Sequence, residues 1–173
     1  QWVSNQVSAF KALGSGAGVI SIAHKAPIRA CAYTSKEPWL RLPKSALYSK
    51  YQLSNGQVLA VVNIHAINFT LGTEEYTSQL SVLEKVLEAH VGPIVFAGDF
   101  NSWNGERLSA MKKTLQKVNL QEVAFSQDHR TQFITGLKLD HVFYRGLTLK
   151  SAKAPQSDAS DHNPLLVSFT LND

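Results

Sequence analysis

Four short runs in this 173-residue sequence end an apolar stretch on an acid, an amide or an imidazole. They are Val62-Asn63-Ile64-His65, Ala97-Gly98-Asp99-Phe100-Asn101-Ser102, Leu139-Asp140-His141 and Ser160-Asp161-His162-Asn163-Pro164-Leu165-Leu166. Each apolar run reads as a buried strand, and its polar end as the point where the strand meets solvent. Strands that end together pool these side chains into one polar cluster. Carboxylate oxygens there suit a divalent cation, Mg²⁺ or in its place Mn²⁺, and a phosphate ester beside it.

Hydrolysis of a phosphodiester needs an in-line nucleophile, neutralisation of the equatorial oxygens and help for the leaving oxygen. Asp99 can orient or deprotonate the attacking water, and with Asp161 it can offer oxygens to the cation. The alternating direction of an extended chain puts Asn101 on the same side as Asp99, where its amide can donate to a phosphate oxygen. A turn-forming Asp and Asn after a strand would account for the same pair. His162 is the candidate for acid–base work or for hydrogen bonding the phosphate, since imidazole titrates near neutral pH. Asp140 would hold that imidazole in the needed tautomer. Loop capping is the competing account of Asp161-His162 before Asn163-Pro164. His65 would reach the phosphate from the opposite side, against the alternative of a hydrogen-bonded core histidine. Alternation turns His141 away from Asp140, which gives it a structural role. His90 ends a helix, where the partial negative charge suffices to explain it. Trp39 and Trp103 could stack on a base or sugar, Trp103 being the nearer to the motif. Asn68, Arg130 and Arg145 read as surface or salt-bridged groups.

These strand ends need elements to position them. Val3, Val7, Phe10 and Leu13 fit a short helix within residues 2–12, followed by a Gly14–Gly18 loop. No Gly-Lys-Ser/Thr follows that loop, so it does not read as a phosphate cradle. Strands are predicted at Val19–Ala23, Ile28–Tyr33, Ala46–Leu53, Val58–His65, Ile94–Ala97, Leu137–Tyr144, Leu147–Ala152 and Leu165–Leu171. Asn55-Gly56 is a hairpin signal, because both residues tolerate positive φ. Residues 74–90 form an amphipathic helix with Tyr76, Leu80, Leu83, Leu87 and His90 on one face and Thr73 as its expected cap. A second helix carries Leu108, Met111, Leu115 and Val118 inward. The order of elements predicts an α/β protein of two packed sheets with helices outside.

With 44% hydrophobic residues, the chain can bury a core, and its length suggests a single domain. A net charge of +4 is compatible with a polyanionic substrate without requiring one. The lone Cys31 excludes an intrachain disulfide and favours neither export nor a cysteine-based metal site, and no apolar run reaches the length of a membrane span. With no charged-then-apolar opening either, these features point to the cytoplasm. Gln1 is not a translation start, and the only methionine is Met111.

The motifs Asn63-Ile64-His65, Gly98-Asp99-Phe100-Asn101, Leu139-Asp140-His141 and Ser160-Asp161-His162-Asn163-Pro164, in this order, resemble those of the endonuclease/exonuclease/phosphatase superfamily, the group of DNase I and exonuclease III. Asn63-Ile64-His65-Ala66-Ile67-Asn68-Phe69 and Tyr144-Arg145-Gly146-Leu147 are most similar to its bacterial YafD-like branch. The resemblance implies a four-layer α/β sandwich of the DNase I-like type, two mixed sheets flanked by helices, with the site at one rim. It also implies Mg²⁺-dependent hydrolysis of phosphate esters, nuclease action being favoured by the basic balance. A phosphomonoesterase of small phosphorylated molecules, or a non-catalytic scaffold on the same fold, are the alternatives. The family opens with a strand ending in Asn and another ending in a metal-binding Glu, and neither has a counterpart here. The expectation is therefore one domain, residues 1–173, truncated at its amino-terminal side, weak or inactive alone, and prone to self-association through an exposed sheet edge.

Overall fold

The computed structural model describes residues 2–172 apart from 13–14, 37–42, 69 and 71. Trp39 lies outside the described residues. The elements are β1 (Val3–Ala12), β2 (Ser15–Ala23), β3 (Arg29–Lys36), β4 (Pro43–Gln52), β5 (Val58–His65), α1 (Glu74–Glu88), β6 (Ile94–Asp99), α2 (Gly105–Lys117), β7 (Gln121–Glu122), β8 (Asp140–Arg145), β9 (Leu147–Lys153) and β10 (Leu166–Leu171). Six strands form a mixed sheet in the order β3-β4-β5-β6-β8-β7, in which only β5 and β6 pair in parallel. β1–β2 and β9–β10 are separate two-stranded antiparallel sheets.

Alternation assigns the two faces of the large sheet. Val62, Ile64, Phe96 and Phe143 point to one side, where they join Tyr76, Leu80, Leu83 and Leu87 of α1 and Met111 and Leu115 of α2 in one buried cluster. The helix spacing read from the sequence is the spacing buried here. Leu59, Val95, Ala97, Val142 and Tyr144 point to the other side, against Leu149, Val167 and Phe169 of β9–β10. The β1–β2 hairpin covers the same face further along, with Val19 on Leu47 and the Asn63 amide donating to the Ile20 carbonyl at 2.9 Å. Between the two hairpins runs a cleft of about 590 Å³ lined by Ile20, Ile22, Leu59, Val61, Val142 and Leu165. At β2 and β10, Ile22 and Leu166 are more than half exposed.

Three local expectations are corrected. Residues 3–12 form a strand rather than a helix. Val3 and Asn5 are half-buried while Ser4 and Gln6 are exposed, a period of two that pairing with β2 enforces over the helical spacing of the apolar residues. Leu13 and Gly14 lie outside the described residues, and the rest of the expected loop, Ser15 to Gly18, belongs to β2. Gly16 and Gly18 pair with Lys11 and Ser8 inside β2, next to an irregularity of register between Ser8 and Phe10 that glycine-rich partners accommodate. Thr73 precedes α1 without a side-chain cap, and its backbone carbonyl takes the Thr77 N–H at 2.8 Å instead.

One glycine is required by geometry. Gly98 has φ of 140°, and a Cβ there would stand 2.0 Å from the Ile64 carbonyl oxygen of the neighbouring parallel strand. Gly98→Ala is expected to lower stability in urea unfolding by about 2–4 kcal/mol, the sum of overpacking and a disfavoured backbone conformation. Stability within about 0.5 kcal/mol of the parent would show that β5 and β6 tolerate separation.

The outer edge of the sheet carries a charged network. Glu122 lies 3.3 Å from Lys112 Nζ, 3.5 Å from Arg130 Nη1 and 2.6 Å from His141 Nδ1, and Asp128 takes Arg130 Nη2 at 2.9 Å. Burial pushes the Glu122 carboxyl up, but His141 and Lys112 outweigh it and hold it at about 2 instead of 4.5. The Arg130 hydrogen bond chiefly holds Asp128 at about 2 instead of 3.8. Both acids bind protons more weakly folded than unfolded, so their contribution is complete above the unfolded values and disappears as pH falls to about 2. The urea midpoint is therefore expected to fall from about pH 4.5 downward, with a smaller fall in Glu122→Gln. Equal falls in both proteins would remove Glu122 from the account.

Candidate active site at the strand ends

The site grows from one row of the large sheet. His65 is the register partner of Asp99 across the parallel β5–β6 pair, and Asp99 is the partner of Asp140 across the antiparallel β6–β8 pair. All three face the hairpin side, because Ile64, Phe96 and Phe143 take the helix side. His65 Nε2 stands 3.5 Å from Asp99 Oδ2. Asp140 Oδ2 lies 2.7 Å from His162 Nδ1, which leaves Nε2 of that ring as its outward nitrogen.

The loops are tied to one another as firmly as the strands. Asn101 N–H donates to Asp99 Oδ1 at 2.8 Å, and the Asn101 amide donates to the Ala66 carbonyl at 2.9 Å. Asn101 is buried with φ of 47°, a conformation that asparagine adopts more readily than most residues. Ala66 N–H in turn donates to the Asp99 carbonyl at 2.8 Å. Beneath them sits Arg107 of α2, fully buried. Its Nε donates to the Asn101 carbonyl at 2.8 Å, Nη1 to Thr70 Oγ1 at 3.0 Å and Nη2 to the Ile67 carbonyl. The guanidinium lies over the Tyr76 ring, 4.2 Å from its centroid, so cation–π attraction adds to the hydrogen bonds that offset its burial.

The predicted cluster is thus brought together for His65, Asp99, Asn101, Asp140 and His162. Asp161 remains exposed at the rim, with Oδ1 accepting from Ser160 Oγ at 3.1 Å and its carbonyl accepting from Thr131 Oγ1 at 3.0 Å. Burial raises the Asp140 carboxyl above its ordinary value, while the hydrogen bond and charge of His162 pull it back down. Burial of His162 works against its charged form, but Asp140, with Asp99 and Asp161, outweighs it and raises the imidazole. His162 therefore holds a proton more readily than a free histidine.

Carboxylate oxygens are the right donors for Mg²⁺. Among the described residues, however, no three His, Cys, Asp or Glu side chains gather closely enough to hold an ion. Asp99 and Asp140 each already serve a neighbour, and Asp161 stands apart. The donor set among the described residues does not by itself complete an octahedral site.

Several site residues carried no sequence signal. Lys44 of β4 brings Nζ to 2.8 Å from His65 Nε2, yet it stands in no motif. Arg107 reads as an exposed charge on an amphipathic helix, and Glu122 belongs to a strand only two residues long. Trp103 is half-buried, its Nε1 donating to Asn68 Oδ1 at 2.9 Å and its ring 5.6 Å from Phe133. Arg130 is salt-bridged, as expected. His141 faces the helix side, away from Asp140, as alternation requires. His90 is buried, with Nε2 3.0 Å from the Val58 carbonyl.

No helix among the described residues is long and apolar enough to cross a membrane. The chain is 90% identical over 172 residues to the "UPF0294 protein" of Vibrio campbellii, covering 99% of itself and 61% of that relative. It therefore spans less than two thirds of the relative's length. Its fold matches the human Nocturnin catalytic domain with bound sulfate at a TM-score of 0.73 and 18% identity, over 98% of this chain and 73% of that one. The mannosyl-6-phosphatase of Bacteroides thetaiotaomicron also matches, at a TM-score of 0.73 and 15% identity, over 98% of this chain and 77% of that one. The fold is DNase I-like, with the described residues supplying the six-stranded sheet, its helical layer and the two two-stranded sheets on its other face. The profile of the endonuclease/exonuclease/phosphatase family matches residues 13–162, and the chain belongs to that family.

Proposed function

We propose that this chain carries most of the active site of a metal-dependent phosphoesterase acting on phosphodiesters, with nucleic acid as the favoured substrate. The observation that carries this reading is the His65–Asp99–Asp140 row with His162 held on Asp140. Asp99 orients or deprotonates the water that attacks phosphorus. His162, held by Asp140 and readily protonated, contacts the phosphate with its outward nitrogen or supplies a proton to the leaving oxygen. His65 approaches from the other side with Lys44 beside it. The second hydrogen of the Asn101 amide is the one available to a phosphate oxygen. Mg²⁺, or Mn²⁺, is the proposed cofactor, with Asp99 and Asp161 as this chain's contribution and a further carboxylate from outside it. When bound, such an ion neutralises charge on the phosphate oxygens.

The net charge of +4 supports a polyanionic substrate. A phosphomonoesterase is the second reading, favoured by the compact Lys44 charge at His65, which suits a terminal phosphate dianion. A non-catalytic scaffold is the third, and the incomplete donor set supports it. A cytoplasmic site of action is part of the proposal, on the ground of the single unpaired cysteine.

In a polypeptide of the relatives' full length, Asp99→Asn is expected to lower kcat on a phosphodiester about 10²–10⁴-fold while circular dichroism stays unchanged. Near-parental hydrolysis by the folded variant would take Asp99 out of the mechanism, and an inactive parent would leave the scaffold reading in its place. For the 173-residue chain alone, we propose weak Mg²⁺ binding and self-association through the apolar cleft and the exposed edges of β2 and β10. Titration calorimetry is expected to show no saturable heat, and light scattering a mass above the monomer. Tight binding by a clean monomer would overturn both statements.

A further inference from the structure

On the helix side of β8, directly behind the proposed site, His141 occupies a bridge that the catalytic reading does not use. Its ring is almost fully buried, edge-on to Phe100 at 5.8 Å between centroids and tilted against Phe143. Nδ1 lies 2.6 Å from Glu122 Oε1, and Nε2 lies 2.7 Å from Ser102 Oγ and 3.2 Å from the Lys138 carbonyl. Ser102 Oγ is itself 2.8 Å from that same carbonyl.

Counting protons decides the state of this group. The Ser102 hydroxyl has one hydrogen, and the Lys138 carbonyl can only accept. If His141 were neutral with its proton on Nδ1, the serine could satisfy either Nε2 or the carbonyl but not both. Lone pairs would then face one another at hydrogen-bond distance. A proton on Nε2 resolves the conflict, because the ring then donates to Ser102 and Lys138 while the serine donates to Lys138. Glu122, which also faces Lys112 Nζ at 3.3 Å and Arg130 Nη1 at 3.5 Å, is a carboxylate that can only accept, so its Oε1 at 2.6 Å requires a second proton on Nδ1. Other charged groups facing the ring do not reverse this. Arg130 Nη1 approaches Nδ1 to 3.4 Å, but Asp128 takes its Nε and Nη2, each at 2.9 Å. Lys112 sits on the far oxygen of Glu122, and Lys138 Nζ lies 3.6 Å from Asp128.

We propose that His141 is a buried imidazolium and a positioning residue: by clamping Ser102 to the Lys138 carbonyl, it fixes the Asn101–Ser102 turn against the start of β8. The chain on each side of the clamp carries the reacting groups. Ser102 follows Asn101, and Lys138 leads through Leu139, whose carbonyl accepts the Phe100 N–H at 2.9 Å, into Asp140. The clamp thereby sets the separation between Asp99 and Asp140 from behind the sheet. Its catalytic consequence rests on the phosphoesterase reading, whereas its charge and its hold on the loop do not.

The charge is read by ring-nitrogen NMR of the protein at neutral pH. Both His141 nitrogens are expected to carry protons, and a lone-pair nitrogen would overturn the assignment. The hold is read by amide hydrogen exchange in His141→Gln and in Ser102→Ala. Exchange at Phe100 is expected to speed up about tenfold or more while Ile94 and Phe96 of the same folded sheet stay as they were. Ser102→Thr, which keeps the hydroxyl, should restore the parental rate. A uniform acceleration, or none, would reduce His141 to a general packing role. In the full-length protein with bis(para-nitrophenyl) phosphate, His141→Gln is expected to lower kcat about 10–100-fold with KM within about twofold. A rise in KM with kcat unchanged would contradict positioning. An inactive parent would count against the phosphoesterase reading alone, since the nitrogen and exchange measurements still decide the clamp.

Discussion

β5 and β6 run parallel and close, and the contact of Gly98 with the Ile64 carbonyl sets how close. Everything at the site inherits its position from that pairing. It brings His65 level with Asp99, and the antiparallel partner β8 then brings Asp140 level with both. A strand turns successive side chains to opposite faces, so a shift of one residue at any of the three strands would send a polar group into the helical cluster. The apolar residues of β5, β6 and β8 forbid the shift, because Val62, Ile64, Phe96 and Phe143 must stay against α1 and α2. Burial on one face thus holds the chemistry on the other.

Much of this arrangement was legible in the amino-acid sequence wherever the information was periodic. Tyr76, Leu80, Leu83 and Leu87 announced α1, and the polar ends at His65, Asp99 and Asp140 announced strands reaching the rim, whereas Asp161 and His162 lie in a bend before β10. Alternation alone separated Asp140 from His141. What escaped was set by tertiary pairing. The apolar residues of 3–12 match a helical spacing, and only the partner strand β2 makes them extended. Lys44, Ser102, Arg107 and Glu122 escaped for a related reason. Each is an ordinary residue of its local element whose importance comes from a group far away in sequence, and no local pattern encodes such a distance.

The site also shows how a buried cation can serve a loop. Arg107 donates to carbonyls of both the segment after β5 and the segment after β6, and Asn101 adds a second tie between the same two segments. Loops of this kind, left to themselves, sample many conformations at small cost. Here their backbone acceptors are satisfied from within the protein, so the arrangement of the polar row is held by the fold itself.

Asp140 and His141 are neighbours in the chain, yet each belongs to a different acid–imidazole pair on a different face of one sheet. The backbone between them is a thin partition: on one side Asp140 is the buried member of its pair, at 11% side-chain exposure against 34% for His162, and on the other His141 is, at 3% against 25% for Glu122. Removing the more exposed member of either pair leaves a buried group without its partner, which costs stability. Each pair thus ties two positions far apart in the sequence, 140 to 162 and 122 to 141, so that a substitution at one is felt at the other.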